Sequence, residues 1–105
     1  MFIAAWSFDV QYGMRDEAVR ALKETSTLIE KSGWRSKQAR LLTGSIGAPE
    51  SRFILEHEFD SLADLEASWQ ALHTKAEDFK RMVAQMKNFI VSGSPRWEIY
   101  RVIDV

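Results

Sequence analysis

The chain has 105 residues, of which 46% are hydrophobic and 28% charged, with 14 basic and 15 acidic side chains and a net charge of −1. This length suits one domain that buries about two-thirds of its unfolded surface, so neither disulfides nor a structural metal is needed for folding. Cysteine is absent, which excludes disulfides, thiol nucleophiles, zinc–thiolate centres and iron–sulfur clusters.

Basic residues do not gather into the footprint that phosphate neutralisation requires, so nucleic acid is not an expected partner. The densest basic stretch, Arg35 to Arg40, holds three cations and suits a solvated strand edge. No apolar run approaches the roughly 18 residues of a membrane span, and no membrane partner is expected. The apolar start, Met1 to Phe8, lacks a basic leader and ends at Asp9. It therefore reads as a strand rather than a secretory signal, and a cytoplasmic location is the expectation.

Residues 1–10 fit a strand with Phe2, Ala4, Trp6, Phe8 and Val10 on one face and Ile3, Ala5, Ser7 and Asp9 on the other. A helix is predicted over 14–31. Asp16 and Glu17 suit the positive end of its dipole, and Val19, Leu22, Ser26 and Ile29 form a stripe flanked by Ala18 and Thr25. Gly33 is placed to end that helix in the left-handed conformation, with Trp34 folding back onto the last turn. Strands are predicted over 37–46 and 52–59, joined by a hairpin loop at Gly47-Ala48-Pro49-Glu50-Ser51. In the second of them Phe53, Leu55, His57 and Phe59 share one face, while Ile54, Glu56 and Glu58 share the other.

Ser61 with Asp64 three residues on marks the next helix start, an approximate capping box. Leu62, Leu65, Trp69, Leu72, Ala76, Phe79, Val83, Met86 and Ile90 then recur at steps of three and four, predicting one long helix bent near Thr74. Ser92-Gly93-Ser94-Pro95 stops it, and residues 97–105 form a last strand.

The order β-α-β-β-α-β closes most simply as an α+β ferredoxin-like sandwich, a four-stranded antiparallel sheet with two helices on one face and right-handed crossovers. The first strand is apolar on both faces, so an uncovered face bearing Phe2, Trp6 and Phe8 would need cover. A second copy packed sheet to sheet supplies it, and a homodimer through the sheet face is expected.

The layout, with Phe59-Asp60-Ser61-Leu62, Trp69 and Tyr100-Arg101-Val102, resembles the dimeric α+β barrel superfamily and within it the NIPSNAP-like group. The resemblance implies a dimer with facing sheets and a small pocket in each subunit between sheet and helices. Members include antibiotic-biosynthesis and haem-degrading monooxygenases, which are similar in using an Asn on the first strand with a Trp and a His on the second helix. Here Trp69 matches the tryptophan, but Ser7 stands on strand one, the only asparagine is Asn88, and Phe79 occupies the histidine's place.

Two histidines remain as candidates for acid–base or ligand-anchoring work. If the Phe53–Phe59 face meets the helices, His57, His73 and Trp69 approach one pocket, with Ser7 on the neighbouring strand. Those four are the candidate binding residues for a small apolar ligand. A hydrogen-bonded core histidine and a boundary histidine are the structural alternative. Glu56 and Glu58, about 7 Å apart along their strand, suit either a cation or a charged network with Arg40 or Arg101. No cofactor-binding motif occurs, and no cofactor is expected. Three functions follow as expectations: a ligand-binding protein or accessory enzyme, an interaction module, or a monooxygenase.

Overall fold

The structure is a computed structural model that describes residues 1–105, the side chain of Ala76 excepted. Among the described residues the elements run β1 (Phe2–Asp9), α1 (Arg15–Lys31), β2 (Gln38–Thr43), β3 (Arg52–Phe59), α2 (Leu62–Thr74), α3 (Ala76–Met86) and β4 (Arg96–Arg101). The strands form one antiparallel sheet in the order β2-β3-β1-β4. This is the ferredoxin-like α+β arrangement expected from the element order.

Two local signals act as expected. Ser61 accepts a hydrogen bond at Oγ from the Asp64 backbone N–H (3.2 Å), capping α2. Gly33, at φ +97°, turns the chain after α1 in a conformation that costs a residue with a Cβ. Trp34 makes further contacts beyond the helix end. It lies over β3 against His57 and Phe59, in the same core as Ile29 of α1.

The expected long second helix is two helices. Lys75 (φ −101°, ψ 51°) is non-helical and separates α2 from α3, close to the predicted bend at Thr74. The break lets α3 turn toward α1, with Met82 and Met86 buried in the same core as Leu22 and Ile29. In α1 the buried line is Ala18, Ala21, Leu22, Thr25 and Ile29, leaving Val19 and Ser26 at its margin.

Strand register decides which face is covered. Phe8 pairs with Phe53, Trp6 with Leu55, Ala4 with His57 and Phe2 with Phe59, and this face meets the helices. The expectation of a bare Phe2–Trp6–Phe8 face is therefore corrected. Phe8 is buried under the protein's own helices, and Trp6 is half-buried beside Trp97. The open face instead carries Ile3, Ala5, Ser7 and Asp9 among the Arg40–Glu56 and Arg96–Glu98 ion pairs. It mixes apolar side chains, Ile3, Ile54 and Tyr100, with these charged pairs.

The 44–51 connection depends on a glycine for a steric reason. A Cβ on Gly44 would fall 1.7 Å from the Pro49 carbonyl oxygen, which is backbone and cannot swing aside. Gly44→Ala is expected to cost about 1–3 kcal/mol through forced backbone displacement. An unchanged urea midpoint would contradict this close approach.

Candidate functional site

The four residues expected to share a pocket lie in separate surroundings. Ser7 is on the open face of β1, cross-strand from Ile54 and Arg96. His57 is on the opposite face of the sheet, in the core and 3% exposed. His73 is exposed near the end of α2, its ring 5.6 Å from that of Phe79. Trp69 is half-buried on α2, edge-on to Trp97 of β4 at 5.7 Å.

His57 has the environment of a structural histidine. Its Nδ1 accepts a hydrogen bond from Trp34 Nε1 (3.1 Å), and Ala4 and Ala39 flank it on the neighbouring strands. Burial without a compensating anion pushes its pKa down to about 4. The imidazole is thus neutral near pH 7, and Nδ1 serves as an acceptor. Ser68 performs a comparable structural task nearby. Its Oγ accepts from the Arg35 N–H (2.8 Å) and donates to the Asp64 carbonyl (2.8 Å), tying α2 to the segment after α1.

The two strand glutamates belong to the open face. Glu56 Oε1 accepts from Arg40 Nε at 2.6 Å, and Glu58 sits between Ile3 and Gln38. Arg40 is thus the neutralising partner of Glu56. Arg101 points to the other side of the sheet, its guanidinium carbon 5.5 Å from the Phe2 ring centroid. Among the described residues no group of three or more His, Asp or Glu is placed to hold a metal ion.

Among the described residues, a broad, shallow groove of about 780 Å³ lies between α2 and the β1–β4 side of the sheet. Leu62, Leu65, Glu66 and Trp69 line it from the helix, and Phe2, Ile99 and Arg101 from the strands. Its origin is geometric. Residues 62, 66 and 69 recur at helical spacing and present one stripe of α2 to the sheet edge. Cross-strand pairing places Arg101 beside Phe2, and Ile99 one repeat along the same face. β4 is an edge strand, and its apolar face is only partly covered by the helices. Trp97 is 41% and Ile99 39% exposed. Trp69 is the one residue of the expected set that reaches this groove, and neither histidine lines it. The sequence signal that could have found it is the apolar alternation of Trp97 and Ile99, ending in Arg101.

No family model and no curated protein matches the chain. Solved structures do match over nearly its whole length. A NIPSNAP family protein from Agrobacterium tumefaciens superposes with a TM-score of 0.77 at 16% identity, covering 98% of this chain and 93% of that one. An uncharacterised NIPSNAP domain protein from Burkholderia xenovorans gives 0.76 at 9% identity, covering 98% and 95%. An antibiotic biosynthesis monooxygenase gives 0.70 at 12% identity, covering 99% and 100%. The chain shares the fold of these proteins, in agreement with the resemblance carried by its layout. At such identities the likeness speaks for the fold and leaves the chemistry to the residues. Among the described residues, no helix is long and apolar enough to cross a membrane.

Proposed function

We propose that the protein binds an apolar small molecule in the groove between α2 and the β1–β4 side of the sheet. The observation that carries this reading is the groove itself, about 780 Å³ and walled by Phe2, Leu65, Trp69 and Ile99. The groove is shallow and largely open to solvent, so an occupant would keep part of its own surface exposed. Solvated apolar side chains on an edge strand are a cost that an apolar occupant removes.

Binding is favoured over oxygenase chemistry by the residues at hand. The groove's ionisable groups are Glu66 and Arg101, Ser7 lies across the sheet from it, and Phe79 stands on α3. Adding the neutral probe 2-naphthylmethanol should shift the Trp69 indole N–H resonance, with a dissociation constant of about millimolar or tighter. Trp69→Ala should weaken binding about 3- to 10-fold, the loss of an aromatic stacking partner. Probe-induced shifts confined to the open sheet face would sink the assignment.

Self-association through the open sheet face is a second reading. It is favoured by Ile3 of β1 with Ile54 and Tyr100 on the strands beside it, side chains on this face that the single chain leaves partly or largely exposed. The Arg–Glu pairs there would meet their symmetry copies in such an interface. Sedimentation at high micromolar concentration should then report twice 12.1 kDa, and a single-chain mass would refute it.

A further inference from the structure

We propose that the groove selects apolar molecules carrying a carboxylate, with the Arg101 guanidinium as the anion-binding group. The inference rests on the binding reading above and adds the chemical class of the ligand.

Arg101 differs from most other arginines of the chain. Arg35, Arg40, Arg52, Arg81 and Arg96 each have a carboxylate oxygen within 4.0 Å, whereas among the described residues Arg101 has none. It lies instead over Phe2, with its guanidinium carbon 5.5 Å from the ring centroid. A guanidinium over an aromatic face at this distance is attracted to the ring electrostatically, and this leaves its N–H groups free to donate. Those donors suit a carboxylate, which can accept two of them side by side. The same groove offers Trp69, Leu65 and Ile99 as an apolar wall for the body of the molecule.

Glu66 also lines the groove and constrains the reading. It lies between Leu62 and Trp69 on α2, whereas Arg101 is on β4, so the two charges approach from opposite walls. No ion pair joins them within 4.0 Å. A carboxylate bound at Arg101 therefore enters a site not already neutralised, and Glu66 opposes it only across the groove. Replacing Glu66 by glutamine should strengthen carboxylate binding.

Three probes of one shape test the assignment: 2-naphthoate, 2-naphthylmethanol and 2-naphthylmethylammonium. Each is titrated against the full chain while the Trp69 indole and backbone amide resonances are followed. The expected result is a preference for naphthoate over the alcohol of about 3- to 10-fold, the scale of a partly solvated charge-assisted bond. Salt should reduce that preference. Arg101→Gln should abolish it by weakening naphthoate more than the alcohol, with amide resonances remote from the groove unshifted, and Arg101→Lys should restore part of it.

Equal binding of naphthoate and alcohol, or a preference that survives Arg101→Gln, would overturn the carboxylate assignment and leave the groove as an apolar site. Stronger binding of the ammonium probe would overturn it in favour of Glu66. If no probe binds, the groove reading falls and this inference with it. Groove resonances that move with protein concentration and are indifferent to probe would assign the surface to a second copy, again overturning the proposal.

Discussion

Replacing Phe53 by alanine is expected to lower the unfolding free energy by about 3–5 kcal/mol, a large part of the 5–15 kcal/mol typical of a small domain. Phe53 is fully buried, stacks on its cross-strand partner Phe8 at 6.0 Å, and lies under the Arg15 guanidinium at 5.7 Å. Its removal takes away apolar contact and leaves a void between sheet and helices that rigid strands cannot close. Phe53→Leu, which keeps most of the volume, should cost about 1 kcal/mol. Urea denaturation followed by circular dichroism measures both. A loss below about 1 kcal/mol for the alanine variant would contradict a helix-covered Phe53–Phe8 face.

Acidification should destabilise the protein through His57, by about 3 kcal/mol in all. Its folded-state pKa is lowered by burial from 6.5 to about 4. Above pH 6.5 the imidazole is neutral in both states and contributes no pH dependence. Between 6.5 and about 4 the unfolded chain takes up a proton that the folded chain refuses, so stability falls as pH falls. Below that window both states are protonated and the loss is complete. Protonation also removes the acceptor that Nδ1 offers to Trp34 Nε1.

His57→Gln keeps a potential acceptor for Trp34 without a titrating group. The difference between wild-type and variant unfolding energies should therefore vary through this window and be flat above it. Carboxylates titrating in the same range cancel in that difference. An imidazole that titrates near 6.5 in the folded protein, followed by its carbon-bound proton resonances, would refute the buried assignment.

The two predictions share a cause. Phe53, Leu55, His57 and Phe59 alternate along β3, and that pattern is legible in the sequence because side chains on a strand point to opposite faces in turn. That His57 is a core acceptor rather than a ligand-anchoring group depends on Trp34, 23 residues away in the chain. No local rule places that indole over β3.

The sequence by itself determined the order of elements, the Ser61 cap, the left-handed Gly33, and the weak point near Thr74 where the long apolar stripe divides. Each of these depends on backbone preferences and periodicity within a few residues. The sheet order followed from them, since short connections and handed crossovers leave few alternatives. What only the tertiary structure decided was which face of β1 is covered, because Ile3 and Ala5 make its second face partly apolar as well. Register and helix placement break that tie, and both arise from contacts distant in sequence. The same holds for the candidate site. Trp69 carried a signal of its own, but Arg101 became part of a groove only when β4 paired with β1, which sets it beside Phe2 and opposite α2.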